Sequence, residues 1–285
     1  MRRRFLVILV AVVLAAFWSC PAGAFQPVEA EFADYGGTRV HYRDAGNGKP
    51  VLVFVHGWSC NMDFWRHQAE AFSDSHRILL VDLPGHGLSD KPRTDYTIPY
   101  FAGSVLKAMD SAGVDRAVLM GHSMGFPIVR EAWRIAPERV TALVSVDGAM
   151  NRVPEDPEER AEWEKENEVF LQRFQGPGYE EHVRRFVGGM HSPETPEEVR
   201  AEVVSEMLHT PQYVGQSAME NFMDPAVWEK DAAKVPVLMV YADMPWLRDD
   251  FEKMMREPFP RMTFRKIRLF DVSCGIHDVT TTWIG

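Results

Sequence analysis

Cysteine and positive charge are both scarce in this 285-residue sequence, and each scarcity argues against a class of function. The three cysteines form no C-x-x-C pair and the histidines are not clustered, so we predict no metal site and no cofactor. Lysine and arginine together number 31, against 41 aspartates and glutamates. Because such an acidic balance disfavours nucleic acid and anionic membranes, we expect neither as a partner.

Long apolar runs are absent beyond the N-terminus. The first 24 residues contain three arginines, an apolar run over residues 5–18 and the sequence Ala22-Gly23-Ala24, which is the order of parts in a cleaved export signal. Removal of residues 1–24 takes away three arginines and changes the net charge from −10 to −13. We therefore expect a periplasmic or secreted protein with no stable membrane span, and an uncleaved anchor is the alternative.

Short apolar runs alternate with helical patterns along most of the chain. Unbroken runs such as VLVFV (51–55) and ILLV (78–81) are typical of strands buried on both faces, whereas TRVHYR (38–43) alternates like an exposed strand. Further candidate strands lie at residues 117–120, 142–146, 237–241 and 264–269, and helical patterns lie at 98–112 and 124–135. The alternation predicts an α/β fold with a mostly parallel central sheet flanked by helices.

Residues 149–231 break this alternation, because they contain no strand candidate and have the pattern of four helices. Helix N-caps are predicted at Asp156 and Thr195. Each of these polar residues is followed directly by proline, and a glutamate lies three positions after it. One apolar stripe at helical spacing consists of Trp163, Phe170 and Phe174, and we interpret it mainly as a packing face. The segment is predicted to be a helical lid, inserted into a core formed by residues 25–148 and 232–285.

The stretch VLMGHSMGF (118–126) places Ser123 between two glycines, after a strand candidate and before a helical pattern. A sharp turn from strand to helix would expose Ser123 Oγ at the edge of the sheet, and side chains at Gly121 or Gly125 would collide with the neighbouring strand and helix. Since serine is a weak nucleophile at neutral pH, it needs a base, an acid that orients the base, and donors for an oxyanion.

Three motifs occur together in this chain: His56-Gly57, DLPGHGLS (82–89) and GHSMG (121–125). In this order and spacing they resemble the α/β-hydrolase family, and the similarity covers residues 35–277. The resemblance implies that Ser123 is the nucleophile, that the backbone N–H groups of Trp58 and Met124 form the oxyanion hole, and that residues 149–231 are the variable lid. It implies a structural role for the 82–89 loop, so we assign no chemistry to its histidine.

His277 is the predicted general base, because it is the last of ten histidines and the only one after the final strand candidate. The residue before it is Ile276, where family members usually have glycine. The acid has two candidates. We prefer Asp147, directly after the strand candidate at 142–146, and the alternative is Asp243, because Pro245 occupies the position that usually holds the acid.

Two of the three cysteines lie near predicted site residues. Cys60 is three residues after Gly57, and Cys274 is three residues before His277. We expect two buried thiols that line one crevice, and a disulfide between them is the alternative.

These residues predict a serine hydrolase that forms an acyl-enzyme on Ser123 and cleaves a small-molecule carboxylic ester with an apolar moiety. A serine nucleophile argues against the dehalogenases and epoxide hydrolases of the family, which use a carboxylate. Carbon–carbon bond hydrolysis, thioester cleavage and perhydrolysis stay open, because they use the same three groups. A non-catalytic binding protein is the alternative from another class, because the acid position and the short C-terminal tail depart from the family.

Overall fold

The computed structural model describes residues 30–148, 153–191, 195–228, 233–242 and 251–267. The strands in these residues are β1 Glu31–Tyr35, β2 Thr38–Ala45, β3 Leu52–Val55, β4 Ile78–Val81, β5 Ala117–His122, β6 Val140–Val146, β7 Val237–Ala242 and β8 Met262–Ile267. The α-helices are α1 Arg66–Ser73, α2 Ile98–Ser111, α3 Gly125–Ile135, α4 Pro157–Gln172, α5 Tyr179–Gly188, α6 Glu197–Leu208, α7 Gln212–Phe222 and α8 Phe251–Arg256. Short 3₁₀ turns occupy Met62–Trp65, Pro137–Arg139 and Pro225–Trp228. The predicted export signal lies outside the described residues and stays a prediction.

The eight strands form one sheet in the order β1-β2-β4-β3-β5-β6-β7-β8. The pairs β1–β2 and β2–β4 are antiparallel, and every pair from β4 to β8 is parallel. All residues of β3, β4 and β7 are buried, because helices cover both faces of the sheet. The predicted α/β fold with a mostly parallel sheet is therefore confirmed.

The antiparallel hairpin β1–β2 differs from the sequence prediction in two ways. No strand is predicted from the sequence at β1, and the prediction that TRVHYR is an exposed strand is wrong: Val40 and His41 are at most 1% exposed. Helix α2 packs against both strands. Its Tyr100 lies 5.5 Å from the ring of Tyr35 and hydrogen-bonds Thr38 Oγ1 at 3.0 Å. The face that alternation assigns to solvent is thus covered by a helix.

The two predicted helix caps have different outcomes. Asp156 caps α4 as predicted, because its Oδ1 accepts the N–H groups of Glu158 at 2.9 Å and Glu159 at 3.0 Å. The cap at Thr195 is wrong. Helix α6 begins at Glu197 with Pro196 as its N-cap residue and no side-chain cap, and Thr195 Oγ1 is buried without a hydrogen-bond partner in the described chain. Pro196 has an extended ψ of 142° and is itself the N-cap residue, so Thr195 lies one position before the cap.

Helices α4 to α7 lie between β6 and β7, and we call residues 153–191 and 195–228 the helical insertion. It is joined to the loop that precedes α2: Tyr213 Oη donates to the Lys91 carbonyl at 2.5 Å, and Ser217 Oγ accepts the Tyr96 N–H at 3.0 Å. The insertion therefore lies over the edge of the sheet at which the parallel strands end. None of the described helices combines the length and the apolar character that a membrane crossing requires.

Candidate active site

Ser123 and Asp147 leave neighbouring strands side by side. His122, the last residue of β5, is paired in parallel register with Val146, the last residue of β6. The Ser123 N–H donates to the Val146 carbonyl at 3.2 Å, and immediately afterwards both chains turn. Ser123 has φ 50° and Asp147 has φ 43°, in the left-handed region that non-glycine residues seldom adopt. The site thus begins with two strained residues on adjacent strands.

The turn at Ser123 is made possible by its two glycines. A Cβ on Gly121 would lie 2.3 Å from the Gly125 carbonyl oxygen, and a Cβ on Gly125 would lie 2.4 Å from the Val55 carbonyl oxygen. The predicted collisions with the following helix and the neighbouring strand are therefore confirmed. Left-handed backbone at a non-glycine residue costs about 1–3 kcal/mol, and such strain is concentrated at functional sites.

The turn after β3, residues 56–58, presents the amide of Trp58. The Leu83 N–H donates to His56 Nε2 at 3.1 Å, so the proton of His56 is on Nδ1, which donates to the Gly57 carbonyl at 2.8 Å. The Cys60 N–H donates to the same carbonyl at 3.2 Å. Because the N–H of a trans peptide points away from its C=O, these bonds aim the Trp58 N–H in the opposite direction.

The amide of Met124 is oriented in the same way. The Ser123 carbonyl accepts the Phe126 N–H at 3.0 Å, so the Met124 N–H points away from that bond. The two turns lie close together, since a Cβ on Gly57 would be 3.2 Å from the Ser123 Cβ. Within the described chain, neither the Trp58 nor the Met124 N–H donates to a backbone carbonyl outside the helices and strands. Both predicted oxyanion donors are therefore available to a ligand.

Asp147 is partly buried at the end of β6. Its Oδ1 accepts the Ala242 N–H at 3.5 Å, which is long for a hydrogen bond. Burial raises the pKa of Asp147, and the Ala242 amide acts in the opposite direction. A cation beside this carboxylate would lower its pKa again. The alternative acid, Asp243, follows Ala242 directly and lies outside the described residues.

Nine of the ten histidines are described, and none of them hydrogen-bonds to Ser123 within those residues. His122 precedes the serine, but its Nδ1 is buried without a partner, and its ring packs edge-on against Trp65 at 6.3 Å. Burial, together with the charge of His56 when protonated, lowers the pKa of His122 to about 4 and that of His86 to about 3. These histidines are neutral at neutral pH. The predicted base, His277, lies outside the described residues.

The 82–89 loop is built around the carboxylate of Asp82. This group accepts His41 Nδ1 at 2.7 Å, the Met62 N–H at 2.8 Å and the Leu88 N–H at 3.0 Å. Burial acts to raise the pKa of Asp82, but these hydrogen bonds outweigh it and lower the pKa below its ordinary value. His86 is fully buried beneath the site. The contacts agree with a structural role for this loop.

A cavity of about 460 Å³, which we call the Ser123 cavity, separates Ser123 from the helical insertion. Its wall is mostly apolar, and five of the residues that line it are methionines. The apolar lining consists of Trp58, Met124, Phe170, Phe186, Met190, Met207, Met219, Phe222 and Met223. Two polar side chains of α4, Glu166 and Asn167, also line it. A volume of this size suits a small organic molecule.

The side chain of Trp58 joins the oxyanion turn to the insertion. Its Nε1 donates to the Gly215 carbonyl at 2.7 Å, and its ring packs edge-on against Phe174 at 5.3 Å and Phe186 at 5.9 Å. Thr210 Oγ1 adds a hydrogen bond to the carbonyl of the next residue in the turn at 3.3 Å. Trp58 thus supplies a backbone oxyanion donor and also holds the helical insertion to the turn through its side chain.

The structure brings four of the predicted site residues together: Ser123, Asp147, Trp58 and Met124. Cys60 is buried and lines the same cavity, whereas Cys274 lies outside the described residues, so the thiol and disulfide alternatives stay predictions. Sequence reasoning missed two residues. His56 fixes the oxyanion turn, and its position between a buried strand and Gly57 was the available signal. Asn167 lines the cavity, and its signal was a polar residue inside an apolar stripe.

Metal-ligating side chains are not clustered in the described part of the chain. No group of three or more histidine, cysteine, aspartate or glutamate residues there lies close enough to hold a metal ion.

Comparison with known proteins gives a family match and several partial relatives. The sequence model of the alpha/beta hydrolase fold family matches residues 50–237. Over 120 residues, or 41% of this chain, the sequence is 37% identical to a dihydrolipoyllysine-residue acetyltransferase component of an acetoin cleaving system from Cupriavidus necator. Over 117 residues, or 39% of the chain, it is 35% identical to epoxide hydrolase 4 of Mus musculus. Each match covers 32% of the relative's own length, about a third.

Solved structures share the fold over most of the chain. An esterase from Exiguobacterium antarcticum superposes with a TM-score of 0.71 at 17% identity, over 89% of this chain and 97% of the esterase. At this identity the likeness concerns the fold alone.

Proposed function

Since the chain belongs to the α/β hydrolase fold family, as the match over residues 50–237 shows, we propose that it is a serine hydrolase of carboxylic esters. One observation carries the proposal: Ser123, in left-handed conformation directly after β5, lines a 460 Å³ cavity together with Trp58 and Met124, whose N–H groups donate to no backbone carbonyl outside the helices and strands of the described chain. This combination is what attack on a carbonyl requires.

In the acylation step, Ser123 Oγ attacks the ester carbonyl carbon while His277 takes the hydroxyl proton. The carbonyl oxygen becomes an oxyanion, which accepts hydrogen bonds from the Trp58 and Met124 N–H groups. When the C–O bond to the alcohol breaks, His277 returns the proton to the leaving oxygen. The carboxylate of Asp147 orients the ring and stabilises the imidazolium that forms between these two transfers.

In the deacylation step, water replaces the alcohol. His277 removes a proton from the water, whose oxygen attacks the acyl carbon, and the same two amides stabilise the second oxyanion. The bond between the acyl carbon and Ser123 Oγ then breaks, and the proton returns to the serine. The products are a carboxylic acid and the free enzyme.

The choice of serine argues for esters over epoxides, although one relative is an epoxide hydrolase. Attack of Ser123 Oγ on an epoxide carbon would give an alkyl ether, which has no carbonyl for water to attack. Attack on an ester gives an acyl-enzyme that water can hydrolyse. The second step of the cycle therefore selects acyl substrates.

The remaining parts of the proposal concern place and substrate. The export signal predicted for residues 1–24 supports a periplasmic or secreted location. The methionine and aromatic lining of the Ser123 cavity supports an apolar acyl or alcohol moiety, over which the helical insertion serves as a lid. Thioesters, carbon–carbon bonds and perhydrolysis are alternatives with the same machinery.

The test measures hydrolysis of p-nitrophenyl esters with acyl chains of two to twelve carbons by the native protein, Ser123→Ala and His277→Ala. We expect turnover by the native protein and a loss of at least about 10³-fold in kcat for each variant, because nucleophile and base act as a unit. Equal rates for the native protein and both variants would contradict the proposal and favour a binding protein.

A further inference from the structure

The wall of the Ser123 cavity contains one buried amide N–H group that donates to no partner among the described residues, either side chain or backbone. Asn167 Nδ2 is buried and makes no hydrogen bond to the described part of the chain. Asn167 lies in α4 and lines the cavity together with Phe170, one turn further along. Leaving a buried N–H without an acceptor is unfavourable, and a molecule bound in the Ser123 cavity can supply one.

The position of Asn167 is one at which packing would favour an apolar residue. It falls between Trp163 and Phe170 at helical spacing, in the stripe that faces inward. The aromatic neighbours of the stripe pack on one another: the ring of Phe170 lies 5.1 Å from Phe174 and 5.8 Å from Phe186. A polar amide inserted in this aromatic face weakens packing, which is consistent with a role in binding.

Beside Asn167, Glu166 is the only charged residue that lines the cavity within the described chain. Glu166 is exposed, so water screens its carboxylate, but the carboxylate still repels a negatively charged ligand group placed beside it. This repulsion favours a neutral oxygen over a carboxylate as the partner of the Asn167 N–H.

We infer that Asn167 is a specificity residue, and that the substrate is an ester whose apolar moiety carries a neutral oxygen acceptor, such as an ether or ketone, away from the scissile carbonyl. The inference rests on the proposed ester hydrolysis and narrows its substrate class. Asn167 Nδ2 donates to that oxygen, while the five methionines adapt to the hydrocarbon on either side of it.

The test compares p-nitrophenyl octanoate with isomers in which one chain methylene is replaced by an ether oxygen at each position in turn. A parallel series places the oxygen in the alcohol part of octyl esters. For each isomer, the measured quantity is its kcat/KM divided by the kcat/KM of the hydrocarbon parent. We expect this ratio to be about tenfold lower in Asn167→Leu and in Asn167→Asp than in native protein for one ether isomer of one series, since both variants lack the N–H donor. An ester ending in a carboxylate is expected to be the poorest substrate.

The matched control is Gln172→Met, which removes an amide from the exposed end of the same helix and should leave all the ratios unchanged. Equal ether-to-hydrocarbon ratios in native protein and both Asn167 variants, with esters still cleaved, overturn the inference and leave the proposed function intact. A ratio retained in Asn167→Asp overturns the donor role, and faster cleavage of the carboxylate ester overturns the neutral acceptor. Absence of hydrolysis of any ester by the native protein overturns the proposed function and the inference with it.

Discussion

At the scale of single residues, the site is organised by two left-handed positions on adjacent strands. Ser123 and Asp147 follow paired residues of β5 and β6, and each has a positive φ. The strain at Ser123 lifts the serine out of the sheet, and the strain at Asp147 turns its carboxylate towards the end of β7, where it accepts the Ala242 amide. A base placed above these strand ends can reach both groups.

The two acid candidates can be separated by mutation. We expect Asp147→Asn to lower kcat for ester hydrolysis by about 10³-fold, because the asparagine cannot stabilise the imidazolium of the base. Asp243→Asn, the matched variant directly after β7 in the sequence, should stay within about twofold of the native rate. Measured kcat values for the two variants decide the question, and the reverse ranking would assign the acid to Asp243.

The site residues that can be predicted from the sequence are those whose pattern lies within one short stretch of the chain. Ser123 and its glycines are predictable because one turn determines them, and Trp58 follows from the adjacent His56-Gly57 pair. The acid is less well defined, since Asp147 and Asp243 each follow a strand directly in the sequence. The local pattern does not choose between them. Asn167 is harder to predict as a site residue: a polar residue inside an apolar stripe is a signal, but helical periodicity does not identify the cavity that the stripe faces.

At the scale of elements, the helical insertion is fastened to the oxyanion turn by the indole of Trp58. Its bond to the Gly215 carbonyl, at 2.7 Å, connects the residue that supplies a backbone donor with helix α7. A second tryptophan makes an equivalent bond away from the oxyanion turn: Trp228 Nε1 donates to the carbonyl of Phe222, a residue that lines the Ser123 cavity, at 3.1 Å. Trp228 therefore serves as a matched control for the indole hydrogen bond of Trp58.

We expect Trp58→Phe and Trp228→Phe each to lower the free energy of unfolding by about 1 kcal/mol, through loss of one hydrogen bond. Only Trp58→Phe should also lower kcat/KM for ester hydrolysis, by about tenfold, because only this residue positions the oxyanion turn. Urea unfolding and steady-state kinetics check the two effects. Equal kinetic losses in both variants would show that the insertion acts through stability alone.

The helix caps give a second comparison at this scale. Asp156→Ala should lower the free energy of unfolding by about 1 kcal/mol, since the aspartate satisfies two N–H groups of α4, at 2.9 and 3.0 Å. Thr195→Ala should cost less as a cap, because the Thr195 hydroxyl makes no hydrogen bond to the described residues. Urea unfolding of both variants measures the difference, and an equal loss would contradict the cap geometry.

The elements that the sequence predicts correctly are those with a local cause. The strands at VLVFV and ILLV are unbroken apolar runs, and α4 begins at its aspartate–proline cap. The burial of β2 depends instead on α2, which lies more than fifty residues later in the chain and covers the face that alternation assigns to solvent. The Thr195 cap fails because Pro196 occupies the N-cap position itself.

At the scale of the whole molecule, buried neutral histidines make stability depend on pH. Burial lowers the pKa of His86 to about 3 and that of His122 to about 4, against 6.5 for an ordinary histidine. The unfolded chain takes up protons below pH 6.5 while these side chains stay neutral in the folded protein. Their contribution is complete above pH 6.5 and is lost as the pH falls from 6.5 towards 4.

We expect the free energy of unfolding to fall between pH 6.5 and 4, by up to about 1.4 kcal/mol per pH unit for each such histidine. Urea unfolding at half-unit intervals of pH measures the slope. His86→Gln should reduce the slope, because it removes one of the buried neutral rings. A native slope of zero in this range would contradict the neutral, buried state of these rings.

Whether Ser123 is an activated nucleophile is measured by the intact mass of the protein after exposure to a fluorophosphonate. We expect one adduct on the native chain, none on Ser123→Ala, and an adduct retained in Ser59→Ala, which removes a second described serine in left-handed conformation, with φ 56°. No adduct on folded native protein, or an adduct that survives in Ser123→Ala, would show that Ser123 is not an activated nucleophile.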